Sequence, residues 1–308
     1  MKNIPNYTNR PKFVLMCGLP CAGKSYKAQE LSTNHDAEIF SSDALREEMF
    51  NDVNHQADNN KLFIELHRRI KDCLKSGKSA IYDATNINYK RRMAFLEELK
   101  NIPCEKICVL MATPYEECLK RNEERDRKVP EEVIKRMYTN FTIPYWYEGW
   151  DDIKIIYAEG AKGSYGDVSD WALSVMDYSQ QNSHHALTLG QHCVNAFSYI
   201  YNRPQKHYEI STAALIHDCG KPKTATFINA RGEASEECHY YNHQHVGSYD
   251  SLFFGGIDDH LYVAALILWH MQPYFNKEEK TKLKYKQLWG EVLYNDIMFL
   301  HEADKAAH

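Results

Sequence analysis

Two short stretches of this 308-residue chain carry residue types at spacings suited to phosphate chemistry. The first, Gly18-Leu-Pro-Cys-Ala-Gly23-Lys24-Ser25, satisfies the eight-position phosphate-loop pattern. Gly18 and Gly23 let the backbone curl until successive N–H groups face an anion, and a helix opening at Lys24 aims its positive end at the same place. Lys24 is placed to reach the outer phosphates of ATP or another NTP, and Ser25 to ligate Mg2+. The second stretch, Ala-Leu-Ile-His217-Asp218-Cys-Gly-Lys221, sets an imidazole beside a carboxylate at the end of an apolar helix. Burying such a pair is costly unless each group is paired or coordinates an ion.

An acceptor for the phosphoryl group should meet the carboxyl ends of neighbouring strands. Ser41-Ser42-Asp43-Ala44-Leu45-Arg46 stands at one such end. Asp43 can take a proton from an attacking hydroxyl, and Arg46, three residues on, can hold an acceptor phosphate. The plainer alternative makes Asp43 the cap of the helix that follows, and both can hold. A third strand ends in Asp83-Ala-Thr85-Asn86-Ile-Asn88, where Asp83 and Asn86 can face metal or acceptor, or else build a polar turn. Arg121, Arg125 and Arg127 lie on a charged segment before Val129-Pro130. They can close over the transferring phosphoryl group or, with Glu123, Glu124 and Asp126 interleaved, form a salt-bridged surface.

Most of the fifteen histidines follow residue 180. His192 and Asp304 sit on helical stretches either side of His217-Asp218, and three facing helices can bring these groups onto one divalent ion. Such an ion would polarise a phosphate oxygen and supply hydroxide near neutral pH. His243 and His270 are candidates for a second ion, or for substrate contact around a single one. A lone histidine elsewhere, such as His207, His239 or His260, reads as a core or surface residue.

The elements that must position these groups divide the chain. Residues 12–18, 38–43, 79–85, 106–112 and 153–159 read as strands separated by helices, an α/β P-loop domain with a mainly parallel sheet covered on both faces, over residues 1–160. A Gly/Ser/Asp-rich stretch at 159–170 reads as a linker or a loop entering a helix, and 161–174 is taken as the linker between domains. Residues 175–308 read as an all-α domain, interrupted only by a polar excursion at 222–242 that fits a small hairpin around Asn229–Gly232.

Composition sets the outer limits. Apolar residues make up 44% and charged residues 26%, which is globular usage. No apolar run is long enough to span a bilayer, and the opening MKNIPNYTNRPK lacks a signal peptide's apolar core, so a cytoplasmic protein without membrane contact is expected. The nine cysteines, without a CxxC pair, argue against a disulfide framework. Lys+Arg and Asp+Glu balance at 25 each over residues 1–160, leaving 12 against 17 beyond and the whole net charge of −5 there. No blanket basic surface for nucleic acid exists, only local clusters such as 90–93 and 121–128.

Taken in order, GLPCAGKS, SSDALR, YDATNIN with its basic helix start, and RNEERDRKVPEEV resemble the 5′-kinase module of polynucleotide kinases, over roughly residues 12–157. The resemblance implies transfer of phosphate from an NTP with Mg2+ to a 5′-hydroxyl end. It implies Gly18, Gly23, Lys24 and Ser25 on the donor, Asp43 as general base, Arg46, Asp83 and Asn86 toward the acceptor, and Arg121 and Arg125 on a lid. The lid spacing before Val129-Pro130 is one residue shorter than in bacteriophage members, which leaves the division of labour among its arginines open. HHALTLGQHC, IHDCGKP, NHQHVGS and HEADKAAH resemble HD phosphohydrolases over roughly 175–308. That resemblance implies one or two divalent transition metals (Mn, Fe, Ni, Co or Zn) on His192, His217, Asp218 and Asp304, extended by His243 and His270, with Lys221 and His185 on substrate phosphate. Together they imply an end-healing enzyme that phosphorylates 5′-OH ends and clears 3′-phosphate or 2′,3′-cyclic phosphate from RNA or DNA, RNA being the more natural substrate, with a separate RNA ligase as partner. Two alternatives stand beside it: a small-molecule or nucleoside kinase joined to a nucleotide phosphohydrolase, and a kinase regulated by a non-catalytic HD sensor.

Overall fold

A computed structural model describes residues 10–307 except 56, 184–185, 204–207 and 277. The chain divides into two compact units, one of residues 1–129 and 148–158 and one of residues 130–147 and 159–308. Among the described residues no helix is long and apolar enough to cross a membrane.

In the first unit the apolar run at residues 12–17 becomes β1 (Lys12–Cys17), with five of its six residues buried. Then come α1 (Lys24–His35), β2 (Ala37–Ser41), α2 (Ser42–Phe50), α3 (Asn59–Lys75), β3 (Ser79–Asp83), α4 (Tyr89–Glu98), β4 (Glu105–Ala112) and α5 (Tyr115–Glu123). After residues 130–147, β5 (Asp152–Tyr157) closes the sheet. All pairings are parallel and the strand order is β2-β3-β1-β4-β5. Neighbours of β1 lie on opposite sides in chain order, so the crevice where such sheets hold ligands opens at its carboxyl end, at Gly18.

Residues 130–147, read from sequence as part of the first domain, instead group with the second unit and carry α6 (Glu131–Tyr138). They are tied there by Tyr138, whose hydroxyl donates to the buried Asp250 at 2.7 Å, and by the Phe141 carbonyl, 2.9 Å from His245 Nδ1. No spacing rule in sequence reports such a long-range anchor. The stretch 161–174 runs into α7 (Val168–Ser174), which buries Ala172, so the glycine-rich segment is a loop entering a helix.

The second unit continues with α8 (Leu189–Tyr201), α9 (Tyr208–Ile216), α10 (Lys221–Thr224), β6 (Ala225–Ile228), β7 (Ala234–Tyr240), α11 (His243–Asp250), α12 (His260–Trp269), α13 (Gln272–Phe275), α14 (Glu279–Trp289) and α15 (Glu291–Ala306). It is therefore mostly helical rather than all-α, since β6 and β7 pair antiparallel around a turn at Asn229–Gly232. Asn229 Oδ1 accepts from the Arg231 and Glu233 amides and Gly232 takes φ +82°, which is the turn chemistry that lets the polar stretch reverse. α12 is buried at every position but Tyr262, as expected of a helix apolar on all faces. Gly220 is required where α10 starts against α11. A Cβ there would lie 2.7 Å from the Gly247 nitrogen and closer still to the His243 carbonyl oxygen.

Candidate active sites in the two units

In the first unit the loop between β1 and α1 has the left-handed turn its glycines allow: Gly23, at φ +91°, caps α1, and Cys21 also takes positive φ. Lys24 is buried and its Nζ donates to the Gly18 and Leu19 carbonyls at 3.1 and 2.6 Å. Burial lowers its pKa, against the opposing pull of Asp83. A lysine folded onto loop carbonyls has donors to offer incoming phosphate. Ser25, next along α1, is exposed.

Ser41, not Asp43, caps α2, its Oγ accepting from the Ala44 amide at 3.4 Å. The capping alternative for Asp43 therefore falls away, and its carboxylate is exposed. Two arginines hold it: Arg46 Nη1 donates to Oδ1 at 3.0 Å and Arg127 Nη1 to Oδ2 at 3.2 Å. Arg46 is buried, with its Nη2 also on Asn59 Oδ1 at 3.0 Å. Asp83 pairs in register with Ser41 across β3 and β2 and is buried at the strand end.

The lid arginines separate. Arg121 is engaged on its own helix, Nε to Glu117 Oε1 at 2.7 Å, the salt-bridged surface alternative. Arg125 Nη1 lies 3.4 Å from Cys21 Sγ, over the phosphate loop. Arg127 reaches Asp43 and also the Val53 carbonyl and Asn54. Expectation for the lid rested on Arg121 and Arg125. The geometry sets Arg125 beside Cys21 of the phosphate loop and Arg127 on Asp43, and Arg127 was among the three arginines the sequence offered for this segment.

Asn86, expected toward the acceptor, is hydrogen-bonded into the framework. Its side chain donates to the Met16 carbonyl at 2.9 Å, and its own carbonyl accepts from Arg92 Nη1 at 2.8 Å. Arg92 in turn makes a fully buried two-bond pair with Glu148, Nη2–Oε1 2.6 Å and Nε–Oε2 2.7 Å, and Trp150 Nε1 donates to the same carboxylate. Sequence reading passed over Arg92 and Glu148, because nothing in residue spacing announces a pair 56 positions apart.

In the second unit all six proposed ligands converge, each buried. His192 comes from α8, His217 and Asp218 from the turn after α9, His243 from the first residue of α11, His270 from the end of α12, and Asp304 from α15. His192 Nε2 lies 3.1 Å from both His217 Nε2 and Asp304 Oδ1. Asp218 faces both ways: Oδ2 is 3.6 and 3.4 Å from the Nε2 atoms of His192 and His217, while Oδ1 is 3.2 and 3.8 Å from those of His243 and His270. The ligand atoms of His192, His217 and Asp304, and those of His217, Asp218 and His270, lie within 4.8 Å of one another.

Tautomers decide what such a cluster can hold. His217, His243 and His270 each face a backbone carbonyl through Nδ1, at 2.8, 2.8 and 2.7 Å. A carbonyl only accepts, so each Nδ1 carries the proton, and in the neutral rings each Nε2 presents a lone pair. The Nε2 atoms of His243 and His270, 3.3 Å apart, then confront each other and Asp218 Oδ1 as three acceptors. A cation relieves that arrangement, and outer carbonyls that orient imidazoles are typical of metal sites. The donor set of imidazole nitrogens and carboxylate oxygens suits a divalent transition metal.

Charge agrees. Burial would raise the Asp218 carboxyl, but Lys221 and His217 hold it well below the usual carboxylate range. Burial lowers His217, yet Asp218 and Asp304 outweigh it and push the imidazole up to about 9. Burial, with His217 and His243 adding to it, pulls His270 down to about 3. The carboxylates thus draw positive charge into a buried site. Lys221 Nζ sits 2.7 Å from Asp218 Oδ2 and 2.7 Å from Gln180 Oε1. Tyr274, missed in the sequence, donates its hydroxyl to Asp304 Oδ2 at 2.9 Å. His185 lies outside the described residues. A cavity of about 410 Å³ opens onto Asp218, Lys221, His243, His270 and Asp304.

Comparison with known proteins adds relatives for the first unit. A family model described as an AAA domain matches residues 13–144, less than half of the chain. The L-seryl-tRNA(Sec) kinase of Methanococcus maripaludis is 29% identical over 173 residues, 53% of this chain and 65% of that protein, so the chain spans just under two thirds of that relative's length. Among solved structures, a putative kinase from Chloroflexus aurantiacus is 19% identical with a TM-score of 0.40, covering 49% of this chain and 86% of that one. A chain of the Pnkp1/Rnl/Hen1 RNA repair complex is 19% identical with a TM-score of 0.38, covering 44% and 45%. The first unit is thus a P-loop domain with kinases among its relatives.

Proposed function

We propose that the chain is a bifunctional nucleic-acid end-healing enzyme, with one activity in each of two domains: a kinase for 5′-hydroxyl ends and a metal-dependent phosphohydrolase for 3′-phosphate or 2′,3′-cyclic phosphate ends, acting on RNA. The observation that carries it is Asp218, one buried carboxylate whose two oxygens address two separate histidine pairs, in a chain that also holds a phosphate loop. The kinase relative named for a tRNA-linked substrate supports RNA as the acceptor class.

In the kinase step, Lys24 and the loop amides hold the donor phosphates, and Ser25 would hold the Mg2+ that neutralises them. Asp43 accepts the proton of the acceptor hydroxyl, whose oxygen bonds the γ-phosphorus as the bond to the β,γ-bridging oxygen breaks and the nucleoside diphosphate leaves. Arg46 aligns that carboxylate, and Arg125 neutralises charge building on the transferred group. Asp83 lies on the acceptor side.

In the second site His192, His217, Asp218 and Asp304 would hold one divalent metal, and Asp218, His243 and His270 a second. Bound there, the metals supply Lewis acidity and a hydroxide nucleophile at neutral pH. Lys221 offers its ammonium to a phosphate oxygen, Tyr274 fixes Asp304, and the carbonyls behind the imidazoles keep Nε2 directed inward. Because the two activities serve opposite sides of one break, they do not undo each other, and a separate ligase would seal the product.

The test is an end-defined RNA carrying a 5′-hydroxyl and a 2′,3′-cyclic phosphate, incubated with ATP, Mg2+ and Mn2+. Label transfer to the 5′ end and loss of the 3′ phosphate are expected. Transfer to a free nucleoside but not to RNA would refute the reading.

A further inference from the structure

Resting on that reading of the second unit, we propose that the aromatic pair His239 and Tyr241, which lines the same cavity as the metal ligands, stacks the base of the terminal nucleotide, so that the hydrolase takes an unpaired nucleotide end rather than any phosphomonoester. The cavity is lined by two chemically distinct sets of residues: the charged and metal-site groups Asp218, Lys221, His243, His270 and Asp304, and the run Cys238, His239, Tyr240 and Tyr241 at the end of β7. Its volume of about 410 Å³ lies at the small end of the range for small-molecule sites, fitting one nucleotide and excluding a duplex.

Tyr241 is the central residue. It is 44% exposed and lines the cavity. It lies parallel to His239, with centroids 5.5 Å apart and planes at 14°, a flat aromatic pair of the kind that takes a base on its free face. Tyr240, between them, is committed elsewhere: its hydroxyl donates to the Gln180 carbonyl at 2.7 Å, and Lys221 Nζ lies 5.6 Å from its ring centroid. The backbone explains why platform and phosphate site come together. Asn242 takes φ +62° and caps α11, and the residues either side of this turn, Tyr241 and His243, both line the cavity. A terminal phosphate held by Lys221 and the metal ligands thus leaves its base beside Tyr241. Stacking is indifferent to base identity, so the site should accept any 3′-terminal base.

The experiment uses the full chain with Mn2+ and two RNA oligomers ending in 2′,3′-cyclic phosphate, one with a normal terminal nucleotide and one abasic at that position. Tyr241→Ala should lower kcat/KM on the normal end by about five- to a hundred-fold, the range of one lost stacking contact, and leave the abasic end unchanged. Tyr241→Phe should behave as the parent. An oligomer with terminal 2-aminopurine gives a second readout: its fluorescence should be quenched on binding to the parent and to Tyr241→Phe, and not to Tyr241→Ala. Equal effects of Tyr241→Ala on both ends, or unchanged quenching, would overturn the platform. Quenching without hydrolysis by the parent would sink the phosphohydrolase reading while leaving the platform standing. Tyr241→Leu, checked for unchanged metal content, replaces the alanine variant if that one fails to fold.

Discussion

The Arg92–Glu148 pair offers a perturbation whose size follows from the coordinates. Both side chains are essentially sealed from water, at 1% and 0% exposure, and two charge-assisted bonds of 2.6 and 2.7 Å join them. Burial opposes the arginine's charge, and the Glu148 carboxylate overrides it, so the guanidinium is held charged more firmly than in water. Each such bond contributes about 1.5–3 kcal/mol, which puts removal of either partner near 3–5 kcal/mol, because the survivor is left as an uncompensated buried charge. Arg92→Met and Glu148→Gln should each cost about that much, whereas the double variant, with no charge left stranded, should be at least about 2 kcal/mol less destabilised than the two losses summed. The assay is chemical denaturation of the full chain, reading the transition that ATP with Mg2+ shifts upward, since a ligand stabilises the unit that binds it. The consequence reaches function: Arg92 Nη1 also holds the Asn86 carbonyl, and Asn86 holds Met16 just before the phosphate loop. Nucleotide affinity should therefore fall with stability in the single variants. Additive losses, or single variants within about 1 kcal/mol of the parent, would refute the reasoning.

Other outcomes follow from the two sites. Lys24→Ala and Asp43→Asn should abolish or strongly slow phosphorylation, the latter by about 10²- to 10⁴-fold, and spare 3′-phosphate removal; a nearly full kinase rate in Asp43→Asn would end its role as base. His217→Ala and Asp218→Asn should do the reverse, and a chelator should silence the hydrolase until Mn2+ or a similar ion is restored; parent protein that neither binds nor responds to transition metal would count against the site. Tyr274→Phe, which removes the donor to Asp304 Oδ2 and keeps the ring, should weaken metal binding by about 10- to 100-fold in a competition titration; unchanged affinity would make the contact incidental. Gly220→Ala forces a methyl group into the α11 backbone and should destabilise the second unit by about 3 kcal/mol, seen as a lowered melting transition; an unshifted transition would show that the two segments can part freely.

Local patterns carried much of this molecule. The strands were legible because buried parallel strands write themselves as short apolar runs, and the phosphate loop because its backbone needs glycine at stated offsets. His217-Asp218 stood out because a charged pair in an apolar helix demands a reason. Sequence left Arg121–Arg127 open between a surface and a site role, and the structure engages Arg121 with Glu117 and Arg127 with Asp43. What it lacked was any measure of distance across the fold. Only the tertiary structure turned Asp218 toward two histidine pairs, sent Arg127 rather than Arg121 to Asp43, moved residues 130–147 into the second unit, and matched Arg92 with Glu148. The physical reason is common to all four. Backbone propensity and hydrophobic period are short-range and repeat along the chain, whereas a site is set by which side chains the packed core leaves facing each other, and that depends on contacts between residues tens of positions apart.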